Sequence, residues 1–163
     1  MAQEPYVNHL IEVAHLLAEA TDGADETLIT AGLLHDTMED VQVTEEELAR
    51  EFGAEVAALV CEVTDDKTLP KAERKRLQVE HAPHKSARAR MIKLADKTCN
   101  LRSLLHSPPA DWSRQRIEEY YAWASQVIAG CRGVNAYLEA QFDRTHREGL
   151  DRLNRREEEQ HRC

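Results

Sequence analysis

Apolar residues along this chain recur at three- and four-residue spacing, and nothing alternates with period two over a useful length. That pattern predicts helices and no sheet, hence an all-α fold. A first helix is expected from Val7 to Ala20, with Asn8 as a candidate N-cap and Asp22-Gly23 as its stop. A second starts at the N-cap Asp25 and runs through Leu28, Ile29, Leu33 and Leu34 to about Asp40. Thr44 and Glu47 form a capping box for a short third helix that ends at Gly53. A fourth covers Val56 to Val63 and gives way to the polar loop Thr64 to Leu69. Pro70 suits the first turn of a fifth helix that stops before Pro83. Ser86 opens a sixth that reaches about Leu105, ahead of Pro108-Pro109. Ser113 caps a seventh lasting to about Gly130, and an eighth follows from Val134. From Arg144 onward that last helix is strongly charged, so residues 144–163 are expected to fray as a tail.

A chain of 163 residues that is 42% hydrophobic fits one domain with a real core. No apolar run reaches about 18 residues, so no membrane span is expected. Met1 to Tyr6 lacks a basic and an apolar region, so no signal peptide is expected. Cys61, Cys99, Cys131 and Cys163 stand far apart without a CxxC pair, as reduced thiols of a cytoplasmic protein would.

The net charge of −9 changes the picture through its distribution. Residues 1–66 carry seventeen acidic residues against one basic, and residues 67–102 carry eleven basic against three acidic. An acidic protein binds bulk nucleic acid poorly. Solvated helix faces account for charge runs in general. Here an acidic part able to hold a cation lies beside a basic part able to hold a small polyanion.

Candidate chemistry centres on His35-Asp36, which follows the apolar run Leu33-Leu34. A charged Asp at the edge of a core costs several kcal/mol unless compensated. A divalent cation compensates well, and imidazole with carboxylate suits Mn, Fe or Zn. His9 on the first helix and Asp96 on the sixth are candidates to complete the shell. Glu39 and Asp40 stand four residues after His35 and Asp36, and Asn100 four after Asp96, which puts each pair on one helix face. A carboxylate beside water that a metal has acidified could orient it or take its proton. Single histidines and aspartates on helices also serve as hydrogen-bond and ion-pair partners. A di-iron bundle would need paired Glu-x-x-His motifs, and only Glu12 to His15 fits.

Several separated words of the chain resemble the hydrolase domain of the RelA/SpoT alarmone family: His35 to Asp40, Phe52-Gly53, Val63 to Lys67, Lys93 to Lys97, and Asn100 to Arg102. Arg74 to Gln78, Trp112-Ser113 and Glu119-Tyr120 resemble its stand-alone members, the small alarmone hydrolases. The resemblance runs from about Tyr6 to Tyr137. It implies an HD-type helical bundle, one manganese ion, and removal of pyrophosphate from the 3′ position of guanosine tetra- or pentaphosphate. It implies metal ligation by His9, His35, Asp36 and Asp96, and handling of the nucleophilic water by Glu39 and Asp40. It places Lys71, Asn100, Arg116 and Tyr120 against the nucleotide and its phosphates. Family members carry a basic helix ahead of the first metal histidine; the eight residues before His9 contain no Lys or Arg. In this length no synthetase domain is expected after the bundle. The expected partner is a small guanosine polyphosphate, with a homo-oligomer left open. Two alternatives stay open: the same chemistry on another phosphorylated nucleotide such as NADPH, and a module that binds without turnover.

Overall fold

The structure, a computed structural model, describes residues 6–41 and 43–160, with side chains up to residue 155. Met1 to Pro5 and Cys163 lie outside the described residues. Among those described there are nine α-helices, one 3₁₀ turn and no strand, which is the all-α class expected. They are α1 (Val7–Ala20), α2 (Glu26–Leu34), α3 (Thr37–Asp40), α4 (Glu45–Phe52), α5 (Ala54–Val63), α6 (Lys71–His81), α7 (Ala87–His106), α8 (Arg114–Ala129) and α9 (Ala136–Gln160). The 3₁₀ turn, Ala82–His84, joins α6 to the chain entering α7. None of these helices is long and apolar enough to cross a membrane.

Local signals set most of the boundaries. Asp25 caps α2 by accepting from the Leu28 N–H at 3.0 Å, and Ser86 and Ser113 cap α7 and α8 in the same way. Thr44 and Glu47 form both halves of the capping box on α4. Gly53 adopts φ +91°, which lets α4 turn directly into α5. Asn8 does not cap α1: Tyr6 holds the N-cap position without a side-chain cap bond, and Asn8 lies inside the first turn.

Helix α7 is the axis. Residues 91–99 are all buried, because α1, α2, α5, α8 and α9 pack around it. A helix covered on all sides is ordinarily apolar throughout. This one takes Lys93, Asp96 and Lys97 inside, and buried charges need partners. Those partners build the site described below.

A further expectation fails. The second predicted helix is two helices, broken at His35-Asp36. Asp36 has φ −102° and ψ 0°, and the Thr37 hydroxyl donates to the Leu34 carbonyl at 2.7 Å, which ends α2 locally. The charged run from Arg144 continues α9 to Gln160. Phe142, Thr145, Gly149 and Leu153 form one inward stripe of α9, and the charges lie on its other faces. A Cβ at Gly149 would collide with the Tyr121 side chain, so α9 and α8 touch closely there.

Candidate active site

Three helices bring their ends and faces to one point. His9 comes from the first turn of α1, His35 and Asp36 from the break after α2, and Asp96 from the middle of α7. The His9 Nε2 lies 3.2 Å from Asp96 Oδ1, and the His35 Nε2 lies 3.2 Å from Asp36 Oδ2 and 3.6 Å from Asp96 Oδ1. One ligand atom each from His9, His35 and Asp96 falls within 4.8 Å of the others, a spacing at which a single ion could touch all three. Asp36 sits at the edge of this trio, its carboxylate accepting a hydrogen bond from the Tyr6 hydroxyl.

The donor chemistry fits a divalent cation. The His35 ring nitrogen Nδ1 lies 2.7 Å from the Gly32 carbonyl, which as an acceptor requires the proton on Nδ1. Nε2 is then the lone-pair nitrogen. It is buried and makes no hydrogen bond, despite the carboxylates near it. A buried acceptor without a partner, beside two carboxylates and a second imidazole, is what a metal ion would satisfy. With protons alone, burial lowers the His35 pKa, but the negative charge of the Asp36 and Asp96 carboxylates beside the ring overcomes it and pushes it up to about 10. Burial likewise opposes ionisation of Asp96, yet the Lys97 ammonium and the two histidines hold it well below the usual carboxylate range. Asp96 Oδ2 accepts from Lys97 Nζ at 2.8 Å and Oδ1 from Asn100 Nδ2 at 2.8 Å, so the carboxylate is fixed from both sides.

These groups line a cavity of about 220 Å³, together with Tyr6, Glu39, Asp65, Gln78, Lys93, Lys97 and Asn100. Glu39 reaches it from α3. Its Oε1 accepts the Asp65 backbone N–H at 2.8 Å, and its pKa is raised, first by burial and then by the charges of Asp65 and Asp36. Lys93 enters from α7 with its ammonium donating to the Val63 carbonyl at 3.0 Å and 4.0 Å from Asp65. Burial and neighbouring Lys97 lower its pKa.

Not every expected residue arrives here. Asp40 is not in the cavity lining, is half exposed, and pairs with Lys67 at 2.8 Å. Lys71, Arg116 and Tyr120 are not in the cavity lining; they stand on α6 and α8, which pack against each other, and Tyr120 borders the site through a hydrogen bond with the Asn100 side chain. Lys71 is exposed at the start of α6. Arg116 stacks 4.2 Å from the Trp112 ring, and Tyr120 packs between Trp112 and Trp123. Lys75 and Lys97 hold their ammoniums 4.6 and 4.7 Å from the Trp123 ring, so a cationic and aromatic wall continues from the cavity onto this face. The sequence reading did not single out Lys93, Lys97, Asp65 or Gln78. Lys93 and Lys97 carried a signal, since residues four apart share a face and Asp96 between them was already a candidate. Asp65 and Gln78 fall within the words Val63 to Lys67 and Arg74 to Gln78 that carry the resemblance, but spacing gave neither a role, because only folding brings the loop and α6 together.

Fold and cluster define a helical HD-type hydrolase, and comparison with known proteins agrees. Residues 1–125 match the family model of the HD domain. The guanosine-3′,5′-bis(diphosphate) 3′-pyrophosphohydrolase MESH1 of Xenopus tropicalis is 52% identical over 139 residues, which is 85% of this chain and 78% of that protein. The protein of the same name from Homo sapiens is 53% identical over 135 residues, 83% of this chain and 75% of that one. A solved metazoan ortholog of SpoT that hydrolyzes ppGpp superposes with a TM-score of 0.84 at 46% identity, covering 88% of this chain and 81% of that one. The structure of lmo0812 from Listeria monocytogenes EGD-e superposes with a TM-score of 0.71 at 30% identity, covering 86% and 95%. The chain belongs to the HD-domain family, among the relatives of the SpoT-type hydrolases.

Proposed function

We propose that this chain hydrolyses guanosine 3′,5′-bis(diphosphate) and the corresponding pentaphosphate at the 3′-pyrophosphate, using one manganese ion. The observation that carries this reading is the His9, His35 and Asp96 trio with its unpartnered buried nitrogen, in a chain half identical to 3′-pyrophosphohydrolases. His9, His35 and Asp96 would hold the ion, with Asp36 completing the set from its edge. The ion supplies Lewis acidity, which neutralises phosphoryl charge and makes water a better nucleophile.

The protein's own groups do the rest. Glu39 faces the cavity with its carboxylate anchored at one oxygen, and its raised pKa suits it to accept a proton from the attacking water. Water oxygen attacks the phosphorus nearest the ribose, the bond to the 3′-oxygen breaks, and that oxygen takes a proton. The products are a nucleotide with a free 3′-hydroxyl and pyrophosphate. Lys93 and Lys97 line the cavity and neutralise charge on the phosphoryl oxygens. Asn100, set by Asp96, offers its remaining amide capacity to the same group. A cavity of about 220 Å³ is smaller than the roughly 300–1,000 Å³ that encloses a whole small ligand, so it takes the phosphates while base and ribose lie outside. Lys71, Arg116 and Tyr120 stand on the face where those parts would rest.

Such an enzyme acts on the stringent-response nucleotide pool of the cytoplasm, with a small molecule and not nucleic acid as its partner. The test is metal analysis of the purified protein, then turnover of guanosine tetraphosphate, NADPH and a nucleoside monophosphate with added Mn²⁺. Release of pyrophosphate from the tetraphosphate is expected. Turnover of NADPH alone, or of none of the three, would overturn the reading.

A further inference from the structure

Helix α3 has four residues, too few to hold its own shape in water. It nevertheless carries Glu39, whose carboxylate must meet the cavity at a fixed angle. Its anchors come from the loop after α5. The Lys67 ammonium donates to the Glu39 carbonyl at 2.7 Å and to Asp40 Oδ1 at 2.8 Å, and lies 4.0 Å from Glu39 Oε2. Two residues earlier, the Asp65 N–H holds Glu39 Oε1. One loop thus grips both the backbone and the side chains at the end of α3. Asp40 is absent from the cavity lining and spends its charge on Lys67.

We infer that Lys67 and Asp40 are positioning residues: their ion pair clamps α3 so that Glu39 alone presents a carboxylate to the water. This separates the two acidic neighbours into a group that touches the reacting atoms and a group that holds it in place. It rests on the proposed function only in taking Glu39 as the carboxylate that handles water.

The geometry makes distinct demands on each variant. Lys67→Met removes the clamp. Lys67→Arg keeps a donor able to reach the same oxygens. Asp40→Asn keeps an acceptor for Lys67 and loses only charge. If Asp40 acts through Lys67, Asp40→Asn lowers kcat by no more than about fivefold, in keeping with an exposed pair. Lys67→Met lowers it about three- to tenfold with KM little changed, because a charge-assisted bond to the backbone goes as well. Lys67→Arg restores most of the loss, and adding Asp40→Asn to Lys67→Met costs nothing more.

A second readout needs no turnover. The amides of Glu39, Asp40 and Val41 bond to Asp36 and Thr37 carbonyls within α3. Their hydrogen exchange should speed up in Lys67→Met while that of α7 and the metal content stay as in the wild type. Unchanged exchange, unchanged kcat in Lys67→Met, or a loss of about 10²–10⁴ in Asp40→Asn that persists on the Lys67→Met background overturns the inference. A wild-type chain without guanosine polyphosphate turnover would sink the proposed function instead, and the exchange measurement would still decide the clamp.

Discussion

Glu39 and His35 do different work, and each leaves its own trace. Glu39→Gln preserves shape and the bond from the Asp65 N–H while removing the charge that takes a proton in the proposed mechanism. Turnover should fall by about 10²–10⁴ with metal content unchanged. Steady-state kinetics beside elemental analysis decides, and unaltered kcat would remove Glu39 from the chemistry. His35 is legible through pH. In metal-free protein its pKa is raised above the ordinary histidine value, so the protonated ring stabilises the fold. That contribution is full below about pH 6.5 and is lost as pH rises toward 10. Metal binding needs the neutral ring, so the stabilisation by Mn²⁺ should grow across the same window. Thermal unfolding with and without Mn²⁺ from pH 6 to 9, against His35→Gln, checks both signs. A metal-free Tm that climbs relative to His35→Gln over this range would contradict the assignment.

At the scale of elements, the break between α2 and α3 matters most. A continuous helix from Asp25 to Asp40 would put Glu39 above His35 and Asp40 above Asp36, as residues four apart. The break re-aims α3, so Glu39 meets the cavity and Asp40 meets Lys67. No spacing rule could show this, because a Thr37 hydroxyl bond and contacts from a loop 26 residues away decide it. Helix α9 teaches the converse. Its inward stripe Phe142, Thr145, Gly149 and Leu153 stands at helical spacing inside a charged run, so the sequence held the information and net charge concealed it. Gly149→Ala should therefore destabilise the protein by about 1–3 kcal/mol through overpacking against Tyr121, although alanine is the better helix former by about 1 kcal/mol. Urea unfolding measures it; a stabilised variant would mean that α9 does not press on α8.

Among the described residues, the charge map is folded around a cluster able to hold a cation. The acidic first part supplies His9, His35, Asp36 and Glu39, and the basic stretch supplies Lys71, Lys75, Lys93 and Lys97. A substrate bearing two pyrophosphates gains more from that surface than one bearing a single phosphate, and the exposed part of the gain is screened by salt. We expect kcat/KM for guanosine tetraphosphate to exceed that for NADPH, with a ratio that shrinks between 50 and 300 mM salt. Lys71→Ala should raise KM more than it lowers kcat, since an exposed phosphate anchor contributes uniform binding. Kinetics with both substrates at two ionic strengths checks these; a ratio indifferent to salt would assign specificity to shape.

By itself the sequence determined the helices, most of their caps, and the residue types able to hold a cation, because periodicity, Asp25, Ser86, Ser113 and the Thr44-Glu47 box act within a few residues of the chain. It also marked His9, His35 and Asp96 as candidates. Tertiary structure alone decided that those three converge, that Asp36 stands at the edge with Tyr6, and that Asp65, Gln78 and Lys93 join the cavity. It also parted Glu39 from Asp40. The physical reason is range: caps and amphipathic faces are set by neighbours in sequence. The aim of a buried carboxylate is set instead by whichever donor a distant element delivers, and by the cost of leaving that charge unpaired.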